Sequence, residues 1–139
     1  MNLLEKVEFK CSVSSVQGKD SNQYGKHHMF DSVEDTSWNS SEGTAQWVKL
    51  HFDVPQKVSG FLVQFQGGFA AKSILVHIET LDGKLILDEA FYPEDVNSTQ
   101  TFYLKKHVNN KEAMKVKFFF PSSTDFYGRI ILYRLEIYE

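Results

Sequence analysis

The chain has 139 residues, 42% hydrophobic and 24% charged, which excludes intrinsic disorder and argues for one globular domain over residues 1–139. A chain of this length buries roughly two-thirds of its unfolded surface, so neither a disulfide nor a metal is required for stability. The net charge of −3, from 15 basic and 18 acidic residues, lacks the basic excess of a nucleic-acid binder, so direct contact with nucleic acid is not expected.

The first ten residues, MNLLEKVEFK, carry charges and no apolar run of signal-peptide length. No segment reaches the ~20 apolar residues needed to span a membrane. Nucleus and cytoplasm are therefore the expected compartments, and no membrane partner is expected. Cys11 stands alone and reads as a small buried hydrophobe rather than a nucleophile. Residues 26–36 hold one short helical signal and residues 107–114 another.

The remaining periodicity is that of strands. Val48, Leu50 and Phe52 alternate with Lys49 and His51, and Phe61, Val63 and Phe65 repeat the pattern. Ile74, Val76 and Ile78 precede the turn signal Asp82-Gly83, with Leu85 and Leu87 beyond it, which predicts a hairpin over 74–90. Phe102 and Leu104 mark a shorter strand, and Val116, Phe118 and Phe120 another. A last strand runs from about 129 to 138, with Ile131, Tyr133, Leu135 and Ile137 on one face. Seven or more strands with almost no helix predict an all-β sandwich. Its polar loops, 39–46, 93–100 and 122–128, are where such a scaffold carries function.

Catalytic machinery is not visible. There is no G-x-S-x-G turn, no phosphate-binding glycine loop and no HExxH spacing, and one cysteine cannot build a structural zinc site. His51 and His77 fall on polar phases of strands and are expected at the surface. Asp31, Asp35 and Asp125 read as turn organisers. The sequons at Asn39 and Asn97 are chance matches in a chain expected inside the cell. Lysines gather at Lys105, Lys106, Lys111, Lys115 and Lys117 and read as a solvated loop and strand face. An enzyme is not expected.

Asp31-Ser32-Val33-Glu34-Asp35-Thr36-Ser37-Trp38, a polar loop, and Gln46-Trp47-Val48-Lys49-Leu50 carry the informative pattern. It resembles the discoidin, or coagulation-factor C-type, superfamily with its galactose-binding-like jelly roll. Ser32 stands where that superfamily usually has glycine, and Arg134-Leu135-Glu136-Ile137 looks like its closing strand. Gln64-Phe65-Gln66-Gly67-Gly68-Phe69, Phe91-Tyr92-Pro93-Glu94-Asp95 and Thr124-Asp125-Phe126 with Gly128-Arg129 extend the likeness to nearly the whole chain. They resemble the small nuclear-receptor-associated proteins, associates and repressors of the testicular orphan receptor. A looser likeness runs to the Doc-type subunit of the anaphase-promoting complex.

This resemblance implies a non-catalytic adaptor with a discoidin-like jelly roll, whose loops bind a protein partner, an orphan nuclear receptor, and repress it by occlusion. Trp38 and Trp47 would bracket the 39–46 loop and anchor it in the sandwich edge. Asn39, Glu42, Gln46, Phe69, Asp95, Asp125, Phe126 and Arg129 are the candidate partner-binding residues, an aromatic and charged set suited to protein recognition. Phe69 and Phe126 read equally as plugs beneath their loops. Many superfamily members hold calcium under the first loop. The matching positions here are Asp31, Thr36 and Glu136, all hard oxygen donors, so a structural calcium is possible though no cofactor is required. Carbohydrate binding and a Doc-like scaffold or degron-binding module remain the alternatives.

Overall fold

The computed structural model describes residues 2–105 and 111–139. Two antiparallel sheets face each other across one apolar core. The five-stranded sheet contains β1 (Phe9–Val13), β3 (Gln46–Gln56), β5 (Ile74–Glu79), β6 (Leu85–Phe91) and β8 (Ala113–Phe120), in the order β1-β3-β8-β5-β6. The four-stranded sheet contains β2 (Trp38–Asn39), β4 (Gly60–Phe65), β7 (Gln100–Tyr103) and β9 (Ile131–Tyr138), in the order β2-β9-β4-β7. This is the jelly-roll β-sandwich that the alternation predicts.

The period of two sends every second side chain inward. Val48, Leu50 and Phe52 from β3, Ile74, Val76 and Ile78 from β5, and Val116, Phe118 and Phe120 from β8 are buried from one side. Phe61, Val63 and Phe65 from β4 with Leu132, Leu135 and Ile137 from β9 meet them from the other. Phe61 touches the rings of Phe91 and Phe118 across the sheets at 5.1 Å in both cases, edge to face, a favoured aromatic geometry. The 74–90 hairpin forms as predicted, its turn closed by the Gly83 N–H on the Thr80 carbonyl.

Three expectations change. In β9 the pairing jumps from Gln64↔Arg134 to Phe65↔Leu132, so Tyr133 is the extra residue of a bulge. Tyr133 therefore leaves the core face, Leu132 takes its place, and the Tyr133 hydroxyl donates to Gln66 Oε1 at 2.9 Å. The helical signal at 26–36 yields only a 3-10 turn, Lys26–Met29, followed by irregular backbone. Half of the helical reading of 107–114 lies outside the described residues, as do Lys106 and His107, and Ala113 and Met114 belong to β8. No helix among the described residues is long and apolar enough to cross a membrane.

Candidate functional site

The loops 39–46 and 124–129 meet at one end of the sandwich. The Gly43 N–H donates to the Tyr127 carbonyl at 2.7 Å. Gly128 sits at φ +82°, where a Cβ would meet the Gly43 carbonyl carbon and oxygen at 2.8 Å. Only glycine fits this approach of two backbones. Within the second loop, the Ser123 hydroxyl donates to the Arg129 carbonyl at 2.6 Å and accepts from the Asp125 N–H at 3.0 Å.

Asp125 and Arg129 form a two-pronged ion pair, with Nε donating to Oδ2 at 2.9 Å and Nη2 to Oδ1 at 3.3 Å. The Arg129 backbone N–H adds a third bond to Oδ2 at 3.1 Å. The guanidinium, against some burial, holds the Asp125 carboxyl below its ordinary range. Asp125, with a smaller field from Glu42, raises Arg129 in turn. The same guanidinium lies 5.1 Å from the Phe69 ring centroid and 5.8 Å from that of Tyr127. Phe69 is thus half-buried beneath an arginine. Phe126 is 93% exposed and Tyr127 56%, their rings edge to face at 5.2 Å. Of the two readings open for Phe126, the buried plug is excluded.

Two candidates lie below this rim. Gln46 is 5% exposed, and its amide is fully used. Oε1 accepts from the Ser14 and Ser15 hydroxyls at 2.5 and 2.8 Å, and Nε2 donates to the Ser41 and Gly43 carbonyls at 3.1 and 2.7 Å. Asn39 is 8% exposed, accepting from the Ser37 hydroxyl and donating to Gln17 Oε1. Both shape the loop from inside, Gln46 with both ends of its amide engaged. Asp95 ties a third loop to the rim, its Oδ1 accepting from the Gly68 N–H at 2.8 Å and the Thr124 hydroxyl at 3.2 Å.

Trp38 anchors the first loop as expected, fully buried with its indole N–H on the Ser15 carbonyl at 2.9 Å. Trp47 does not. It lies on the outward face of β3, because the phase that buries Val48 turns Trp47 out, and Lys117 covers it at 5.5 Å. Sequence reasoning missed Tyr127, Ser14 and Ser15. The run Phe126-Tyr127-Gly128 carried the first signal, two aromatics before a turn glycine, and nothing local marks the serines.

The positions matched to calcium ligands are engaged with neighbouring side chains and backbone. Asp31 Oδ2 accepts from the Thr36 hydroxyl at 2.6 Å and faces His28 Nδ1 at 3.1 Å, while Oδ1 accepts from the Val33 N–H at 2.9 Å. This carboxylate is thus held in the turn by two donors, the Thr36 hydroxyl and the Val33 N–H, beside the His28 ring. Glu136 lines one pocket with Phe30 and Ser32–Glu34 of that turn, its carboxylate 2.6 Å from Arg134 Nε and accepting from the Tyr138 hydroxyl. Among the described residues no three His, Cys, Asp or Glu side chains gather where a metal could sit.

No family model matches the chain. It is 47% identical over 125 residues to the nuclear receptor 2C2-associated protein of Danio rerio, covering 90% of this chain and 86% of that one. To its Homo sapiens counterpart it is 41% identical over 127 residues, covering 90% and 87%. The chain belongs to the nuclear receptor 2C2-associated protein family. Solved structures place this family member among discoidin-type galactose-binding-like folds. A chitosan-binding module from a Paenibacillus chitosanase/glucanase aligns with TM-score 0.74 at 20% identity, over 100% of this chain and 99% of that one. An F5/8 type C domain from Bacteroides fragilis aligns with TM-score 0.77 at 16% identity, over 94% and 91%. A family 32 carbohydrate-binding module in complex with galactose aligns with TM-score 0.71 at 17% identity, over 94% and 93%.

Proposed function

We propose that this protein is a non-catalytic adaptor of nucleus and cytoplasm that docks a nuclear receptor through its loop rim and represses by covering receptor surface. The observation that carries this reading is Phe126. A phenylalanine left 93% exposed beside Tyr127, on a loop held by the Asp125–Arg129 pair, is arranged for burial against another protein. Preorganisation keeps the ordering cost of that burial small. The relatives' name supplies the partner class.

Chemistry elsewhere in the chain favours binding over catalysis. Burial, only partly opposed by Lys26, pushes the Cys11 thiol up to about 12, so it stays a thiol. Asp125 is spent on Arg129. Carbohydrate recognition rests on fold likeness, and Asp125 and Arg129, which it would draw on beside Phe126, are paired with each other.

The test is interferometry against the same organism's counterpart of nuclear receptor 2C2. Wild type should bind, and Phe126→Ala should bind on the order of thirtyfold more weakly. Absence of wild-type binding, or equal affinity of the two proteins, would refute the rim as the docking site.

A further inference from the structure

The alternation that fills the core also sets the outward face of the five-stranded sheet, and the ladder register aligns its side chains in rows. One row crosses the strands as Lys10, His51 and Lys115. The next contains Lys49, Lys117 and His77. The third is Trp47, Phe119 and Leu75. Neighbouring strands lie about 4.8 Å apart, so two basic rows run beside one apolar row on a single flat surface.

This arrangement has a cost that the fold itself does not recover. Like charges directly opposite each other destabilise a sheet, and Lys49 stands opposite Lys117. Among the described residues none of Lys10, Lys49, Lys115 and Lys117 forms an ion pair. The acids of this face are Asp53 on β3 with Glu8 opposite it, Glu79 on β5 and Asp88 on β6. Glu79 is opposite Lys115 without reaching ion-pair distance, and Asp88 lies 3.1 Å from His77. The Lys117 ammonium is held 5.5 Å from the Trp47 centroid and 5.4 Å from that of Phe119. Seated over two rings, it loses little freedom on meeting an anion.

We propose that this face docks an acidic, apolar-rich peptide segment of a partner protein, laid across β3, β8 and β5. Carboxylates meet Lys49, Lys115 and Lys117, and apolar side chains meet Trp47, Phe119 and Leu75. The observations favour a peptide over nucleic acid, because a net charge of −3 opposes the approach of a long polyanion, while a short acidic segment meets chiefly the local field.

The experiment is fluorescence anisotropy on the full chain, with a short labelled peptide that alternates Asp or Glu with Leu or Phe. Binding should be saturable and weaken several-fold between about 50 and 200 mM salt. The Lys49→Glu, Lys117→Glu double variant should bind about tenfold more weakly or worse. The Lys49→Gln, Lys117→Gln pair removes charge without adding repulsion and should fall between. Phe126→Ala should bind this peptide as wild type does, which separates the sheet face from the loop rim. Thermal melts confirm that each variant is folded. No binding at either salt, unchanged affinity in both lysine variants, or loss in Phe126→Ala overturns the proposal. So does tighter capture of a single-stranded oligouridine or of phosphatidylserine vesicles.

Discussion

Ser32 takes φ +59° in the turn after Asp31, a left-handed conformation that costs a residue with a Cβ about 1–2 kcal/mol. Its side chain makes no hydrogen bond among the described residues that would repay this. Glycine removes the clash but adds unfolded-chain entropy of about 0.5–1 kcal/mol. Ser32→Gly should therefore stabilise by up to about 1 kcal/mol, read as a melting temperature higher by roughly 3–4 °C. A decrease would mean that the turn depends on the serine. His28, nearby, titrates against two oxygens. The bond from Nε2 to the Asn22 carbonyl, at 2.9 Å, raises it most, burial opposes, and Asp31 raises it further. Burial pushes Asp31 up, but bonds from Thr36, Val33 and His28 outweigh it and hold the carboxyl low. A raised histidine stabilises fully below its unfolded value of 6.5, and that stability is lost as pH rises through the folded one. A lowered carboxyl stabilises above its unfolded value of 3.8, and that is lost as pH falls through the folded one. Between about 4 and 6.5 both contributions are present. Urea unfolding should show wild type losing more stability than His28→Ala from pH 6 to pH 8, and parallel profiles would remove the histidine from the account.

At the scale of the element, the contact between loops 39–46 and 124–129 is the joint that fixes the rim. Gly128→Ala meets both a positive φ and the Gly43 backbone at 2.8 Å, so it should cost about 1–3 kcal/mol and loosen the rim. Fluorescence-monitored urea unfolding measures the first effect, and hydrogen exchange at Gly43 measures the second. Unchanged stability and protection would mean that the two loops pack independently. The turn at 31–36 gives the opposite expectation for calcium. A site of Kd near 10 μM would add about 2.7 kcal/mol at 1 mM calcium. With Asp31 facing His28, Thr36 and Val33, melting in calcium and in chelator should coincide. Such loop contacts are where sequence reading runs out. The central strands were legible because Val48-Lys49-Leu50-His51-Phe52 and its counterparts alternate over enough residues to define a face. Phe9-Lys10-Cys11-Ser12-Val13 alternates too, and β1 could have been read from it. β2 is two residues long and exists only because Trp38 and Asn39 pair with Leu132 and Ile131, which no local period encodes. At the rim, residue types were legible and burial was not. Gln46 reads as a loop amide until Ser14 and Ser15, some thirty residues upstream, close on it.

Across the whole molecule, two phenylalanines with identical chemistry separate stability from recognition. Phe61 is buried at the meeting of the sheets, touching Phe102 at 5.4 Å in its own sheet and Phe91 and Phe118 in the other at 5.1 Å. Truncating it leaves a cavity bounded by both layers, which neither can close without moving the other. Phe61→Ala should cost about 3–5 kcal/mol, a large share of the roughly 5–15 kcal/mol that holds a domain folded. Phe126→Ala removes a ring already in water and should change stability by less than about 0.5 kcal/mol. Binding then tells the two apart. The Phe61 variant should lose receptor binding on warming, in step with its unfolded fraction, and regain full affinity when cooled into its folded range. The Phe126 variant should bind weakly at every temperature with its melting curve unchanged. If Phe126→Ala instead lowers the melting temperature as Phe61→Ala does, its ring packs within the fold, and the rim loses the residue on which its recognition rests.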